Sequence, residues 1–337
     1  MPLLTIAIPT LNGEAFLRDT VEAILHGLNF GRDVEVLLME NGSSDNTAGI
    51  CKEFADTNPN VVMRSNSETV SFDENVAGAI EAATGEYVWI MADDDVIIPG
   101  AIQRVYAELE ANLPSLLLTN FRKVGRDLEP LEPKSLNSDR AGLGSQAVKV
   151  FETAEDALMG ASFDIFGLLS AIVVRREDYL KFAYGTGIGL PEGFDFLYII
   201  PRVMQLGRTV FIDEPLVLFR QYKKRWETRD DYSQSMTIFF VIIPTILNQL
   251  AVDGYEKTVV GSISRHHLAN LSLQLITAAA AGMNYRDGFL RKLISVNFRN
   301  PIFWIQLPVF ALPKKLLPKV ALLYEGTLSN TLRRALS

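Results

Sequence analysis

Apolar positions in the first 121 residues follow two alternating periods. The run "LLTIAIP", with its core at 4–9, is continuously apolar, as a strand covered on both faces must be. In "EAFLRDTVEAILHGL" (14–28), Phe16, Leu17, Val21, Ile24, Leu25 and Leu28 recur at helical spacing. The alternation continues with a strand at 34–40 and a helix over 43–55 that Ser and Asp open, side chains suited to an N-cap. A strand at 61–64, a helix over 74–85, a strand at 87–91, a helix over 99–111 with Pro99 in its first turn and a strand at 115–121 complete the series. Such alternation predicts an α/β fold with a mostly parallel sheet flanked by helices. Ligands of such sheets bind beyond the carboxyl ends of the strands. The two richest polar stretches, "ENGSSDN" after the second strand and "ADDD" after the fourth, fall there.

The pattern then loosens. Residues 122–149 are polar and interrupted by Gly and Pro, which predicts a long surface excursion. "SAIVVR" (170–175) and "TVFI" (209–212) resume as strands, with a helical stretch around 195–206 between them. The last hundred residues are apolar and helical in character. "MTIFFVIIPTIL" is too short to span a bilayer and reads as a core helix, and the polar residues of "HHLANLSLQLITAAAAGMNY" make it a poor span. The uncharged run 300–313 is broken by prolines and meets Lys314 and Lys315. It reads either as an interfacial segment, with Phe303, Trp304 and Phe310 near lipid headgroups, or as a helical subdomain packed on itself.

Composition sharpens this in three ways. The chain has 337 residues, 48% hydrophobic and 21% charged, so it folds around a full core. Its net charge of −8 argues against a nucleic-acid-binding surface, yet nine Lys/Arg against two acids from Arg286 onward make the tail +7 and leave −15 on the rest. Cys51 is the only cysteine and His26, His266 and His267 the only histidines, so cysteine or histidine metal centres and a disulfide framework are disfavoured. A metal here would take oxygen ligands, which suits Mg or Mn. The N-terminus has no basic region ahead of its apolar residues, so it does not read as a signal peptide, and a reducing, cytoplasmic setting is expected.

Asp93, Asp94 and Asp95 follow a buried strand, where unpaired carboxylates destabilise the fold or take up protons. Two explanations stand: a divalent cation completed by substrate phosphates, or a solvated turn capping the next helix.

The wider context resembles the nucleotide-diphospho-sugar glycosyltransferases of family 2, with their GT-A fold. The resemblance rests on "TIAIPTLNGEAFLRDTVEAIL", "VEVLLMENGSSDNT", "ATGEYVWIMADDDVIIPGAI" and "GRTVFIDEPLVLFRQ", in the family's order over roughly residues 3–222. "GEYVWIMADDD" is most similar to the branch that adds deoxy and dideoxy sugars in O-antigen synthesis, such as abequosyltransferases. The resemblance implies a catalytic domain over 1–225, with a donor half (1–121) and an acceptor half (122–225), followed by a helical region over 226–337.

Position by position, it implies donor contacts from Pro9, Thr10 and Asn12, with Asn12 and Gly13 supplying unusual φ angles. Glu40 stands where the family usually has an aspartate bonded to the base, and Asn41 where it has a second. Asn75 falls at a ribose or phosphate contact. Counting back from Pro99 puts Ala92 where the metal motif's first aspartate belongs, so Asp94 is implied as metal ligand and Asp93 as a ribose-side or shared ligand. Arg220 packs or contacts phosphate. The Glu-Asp pair that supplies the general base reads Glu192-Gly193 here, which leaves Glu192 or Asp195 as the base. "QYKKRW" (221–226) has one residue too many for the motif of processive synthases.

The activity implied is transfer of a sugar from a nucleotide-diphosphate donor, with Mg or Mn, to a saccharide or lipid-linked saccharide, with no nucleic-acid partner and with the inner membrane surface as a candidate peripheral contact. Two other readings compete. A nucleotidyltransferase would expect a basic, Gly-rich loop after the first strand, which "PTLNGEAF" lacks. A sugar-nucleotide binder without transfer activity is the other.

Overall fold

The apolar runs of the first half become four parallel strands: β1 (Leu4–Thr10), β2 (Val34–Glu40), β3 (Val61–Ser65) and β4 (Tyr87–Ile90). This computed structural model describes residues 1–28, 33–131, 147–160, 166–184, 187–221, 237–270 and 289–306. The chain divides into two units, Met1–Tyr222 and Lys223–Ser337.

In the first unit the strands lie in one nine-stranded sheet. The later strands are β5 (Val96–Ile97), β6 (Leu116–Val124), β7 (Val148–Phe151), β8 (Ile172–Arg175) and β9 (Thr209–Arg220). The order is β3-β2-β1-β4-β8-β6-β9-β5, and β7 also pairs with β9. β8 runs antiparallel between β4 and β6, while β6 and β9 are parallel. β5 and β7 run antiparallel to β9. The sheet is therefore mostly parallel, with three reversed strands.

Helices α1 (Leu17–Gly27), α2 (Thr47–Thr57), α3 (Phe72–Ala82) and α4 (Ala101–Asn112) alternate with the early strands. Each buries one stripe, as with Leu17, Val21 and Ile24 of α1 or Ile50, Cys51 and Phe54 of α2. α5 (Ala154–Gly160), α6 (Arg176–Leu180) and α7 (Asp195–Met204) follow. Ile6, Ile8, Val36 and Trp89 are fully buried at the centre, and Trp89 donates its indole N–H to the Ser170 carbonyl at 2.8 Å.

Several boundaries differ from the pattern. α1 begins at Leu17, because Gly13 to Phe16 form a turn in which the Gly13 carbonyl accepts from Phe16 and Leu17. Pro99 precedes α4 instead of opening it. Val96 and Ile97 are still extended against β9, the Ile98 amide bonds the Leu216 carbonyl, and Gly100 turns the chain at φ 86°. The stretch 122–149 is only partly an excursion: β6 runs on to Val124 and β7 starts at Val148, while 132–146 lie outside the described residues. "TVFI" is only the first third of the twelve-residue β9.

The second unit contains a π-helical turn (Ile238–Ile242), α8 (Ile243–Leu250), α9 (Lys257–Asn270), α10 (Phe289–Asn297) and α11 (Pro301–Gln306). "MTIFFVIIPTIL" is indeed core, with Phe240, Ile243, Ile246 and Leu247 buried. Phe303 is buried as well, so it does not face lipid, whereas Trp304 and Ile305 are half or more exposed. Phe310, Lys314 and Lys315 lie outside the described residues. Among the described residues no helix is long and apolar enough to cross a membrane.

Candidate active site

The carboxyl ends of β1 and β2 carry two loops that bind each other. Asn12, at φ 56°, accepts from the Ser44 amide at 2.8 Å and the Ser44 hydroxyl at 3.1 Å through Oδ1. Its own amide donates to Ser43 Oγ at 3.0 Å. Two residues on, the Glu14 amide donates to Asp45 and the Asn46 amide donates to Glu14. Asp45 also receives the Thr47 amide at 3.0 Å, which ties this loop to the first residue of α2. The side-chain oxygen of Asn12 is thus spent on joining loops. Pro9 sits half-buried opposite Met39, just past Ala7, where the ladder to β4 ends and a missing N–H costs nothing.

Glu40 is buried, and its Oε1 accepts the Ser43 amide at 2.6 Å. Beside it an amide chain links three loops. Asn41 accepts from the Val70 amide and donates to the Val70 carbonyl, both at 3.0 Å. Asn66 donates to Asn41 Oδ1 at 2.8 Å and to Asn75 Oδ1 at 2.9 Å. An aspartate at 41 could not donate to Val70, which is a physical reason for the amide at this position. Asn66 was not legible as a site residue, because a polar residue after a strand looks like any loop.

The three aspartates are directed to different partners. Asp93 Oδ2 accepts from Thr10 Oγ1 at 2.5 Å. Gly13 is needed here for space: its φ is not positive, but a Cβ there would lie 2.3 Å from Asp93 Oδ2 and 2.6 Å from Thr10 Oγ1. Asp95 is fully buried and accepts from Ser170 Oγ at 2.6 Å and from the Arg220 amide at 3.0 Å. It ties β4 to β9 and to the turn before β8. The Thr20 hydroxyl on α1 lies within hydrogen-bonding distance of the Asp93 and Asp95 carbonyls. Asp94, between them, is 6% exposed.

The Arg220 guanidinium is buried over the Phe16 ring, 4.4 Å from its centroid, and reaches Asp19 at 3.1 Å. Its Nε and Nη1 have no hydrogen-bond partner among the described residues. Cys51 lies beneath the cluster. Burial, and then the charges of Glu40 and Asp93, push its thiol up to about 12, so thiolate chemistry is excluded at neutral pH.

Glu192 and Asp195, the carboxylates expected at the acceptor side, lie at the first turn of α3. Glu192 Oε1 accepts the Phe72 amide at 2.9 Å, and Asp195 is the first residue of α7. Asp73, which sequence reasoning did not single out, accepts the Gly193 and Asp195 amides. Burial pushes the Asp73 carboxyl above its usual range; the Gly193 N–H opposes this, and the charges of Asp195 and Glu192 add to it. α3 therefore touches both groups of expected site residues, through Asn75 on one side and Phe72 and Asp73 on the other.

A mostly parallel sheet with a buried acidic turn after its fourth strand is the architecture of a GT-A fold. Residues 5–164 match the model of glycosyl transferase family 2. Its sequence is similar to abequosyltransferase RfbV of Salmonella typhimurium, 24% identical over 76% of this chain and 77% of that protein. Its fold is similar to TarS of S. aureus in complex with UDP-GlcNAc, with a TM-score of 0.66, 14% identity, and coverage of 96% of this chain and 91% of that one. A mannosyltransferase from Pyrobaculum calidifontis, in complex with GDP-Man and Mn2+, gives 0.50 at 15% identity over 96% and 88% of the two chains. The nucleotidyltransferase and pure-binder readings are not favoured by these likenesses.

Proposed function

We propose that the chain transfers a sugar, with inversion, from a nucleotide-diphosphate donor to a saccharide or lipid-linked saccharide during surface polysaccharide synthesis. The observation that carries this is the junction of loops at the carboxyl ends of β1, β2 and β4, where Thr10 bonds Asp93, Glu40 holds the Ser43 amide, and Asn66 links Asn41 to Asn75. The similarity to an abequosyltransferase supports the polysaccharide setting.

Asp195 is the base. It takes the proton of the acceptor hydroxyl, the oxygen attacks the anomeric carbon, and the bonding pair leaves with the diphosphate. Glu192, which accepts the Phe72 amide, is the alternative carboxylate. Asp94 and Asp93 suit a divalent cation such as Mg or Mn, because they offer oxygen ligands alone. Two carboxylates leave the remaining positions to donor phosphates and water, and the bound cation would neutralise the departing diphosphate.

A thermal-shift panel of nucleotide sugars with and without Mn tests this reading. One donor should raise the melting temperature, with a stabilisation of about 2.7 kcal/mol at a hundred times Kd. No shift with any nucleotide sugar would remove the proposal's basis.

The second unit supports peripheral contact with the inner face of a cytoplasmic membrane. Phe298, Trp304 and Ile305 are exposed, Arg299 lies over the Phe298 ring, and the Trp304 indole bonds the Phe298 carbonyl. A cation beside exposed aromatic and aliphatic side chains fits an anionic interface. Sedimentation with phosphatidylglycerol vesicles should exceed that with phosphatidylcholine and fall in Trp304→Ala. Equal, salt-insensitive recovery with both lipids would refute it.

A further inference from the structure

Two helices from different parts of the sequence cap one another. Asp73, in the first turn of α3, accepts the Gly193 amide through Oδ2 at 2.5 Å and the Asp195 amide through Oδ1 at 3.3 Å. In return, Glu192 accepts the Phe72 amide at 2.9 Å. Gly193 holds φ 86°, a conformation that disfavours any residue with a Cβ. The clasp brings three carboxylates together at the start of α7, a poor choice for stability alone, since one surface cap satisfies a helix start without crowding like charges.

We propose that Asp73 is a positioning residue for glycosyl transfer: by holding the Gly193 and Asp195 amides, it fixes the loop that aims the Asp195 carboxylate at the acceptor hydroxyl. The proposal rests on Asp195 being the base. It also explains why Glu-Asp can become Glu-Gly here: the glycine supplies the turn, and the carboxylate moves two residues on, to the residue whose amide Asp73 grips. The groups facing Asp73 are Asp195 and Glu192, together with the buried Tyr179 of α6, whose phenol burial keeps neutral. Because the Asp73 and Asp195 charges repel, removing the first should also move the acid limb of the rate to lower pH.

The test uses the full chain and the donor that the thermal-shift panel selects, with water as acceptor and release of nucleoside diphosphate as the readout. Asp73→Ala should lower kcat on the order of 10²-fold, the scale of a small misplacement of a reacting group, with donor KM retained. Asp73→Asn keeps one acceptor oxygen and should lose less, with its acid limb shifted down. The double variant Asp73→Ala/Asp195→Ala should be no slower than Asp195→Ala, since Asp73 acts through that residue. A melt and the donor-induced shift show that each variant is folded, and Asp73→Asn carries the test should the alanine variant fail. Wild-type kcat in both Asp73 variants would overturn the clasp alone. A full additional loss in the double variant would overturn it too, and an active Asp195→Ala protein would instead remove the base assignment.

Discussion

Replacing Asp195 with asparagine should lower transfer by roughly 10²–10⁴-fold, the usual contribution of a positioned general base. Donor binding should survive, because Asp195 opens α7 on the far side of α3 from the Asn41, Asn66 and Asn75 chain. Glu192→Gln is the informative comparison. Glutamine keeps an oxygen to accept the Phe72 amide, so the loop stays in place and the loss should be much smaller. Initial rates and donor-induced melting shifts for both proteins decide between the two carboxylates. Near-normal transfer by Asp195→Asn together with loss in Glu192→Gln would reverse the assignment.

The second large effect is expected at Asp94. Asp94 is the proposed main cation ligand, and it is buried in the acidic turn after β4. Asp94→Ala should therefore remove the main cation ligand, lower transfer on the order of 10³-fold, as expected when several kcal/mol of charge stabilisation is lost, and abolish any added stabilisation of the donor complex by Mn. A melt of Asp94→Ala without donor separates loss of the cation ligand from loss of the fold. Undiminished transfer, or an Mn effect that persists, would exclude Asp94 as the ligand.

The acidic turn illustrates how much of the site was legible. "ADDDV" after an apolar run located it, because three carboxylates beside a buried strand demand an explanation. Their division of labour was not legible. Nothing local marks Asp95 as buried and structural, since its partners Ser170 and Arg220 are 75 and 125 positions away. Asn12 was correctly expected at a positive φ, but its loop-joining bonds to Ser43 and Ser44 depend on β1 and β2 lying side by side. Gly13 was expected to supply an unusual φ, and it serves instead as room for Asp93. Asp73 gave no signal at all, because an acid in the first turn of a helix is ordinary until another loop arrives against it.

The sequence by itself determined the parallel half of the sheet and the polar loops at its carboxyl edge, because these are written in short-range periodicity and contiguous motifs. Only the tertiary structure decided the direction and place of β8, the length of β9, the partners of each aspartate and the clasp at α3. An apolar run such as "IVVR" reads the same in either strand direction, and hydrogen bonds between residues a hundred positions apart leave no mark on the pattern around either one.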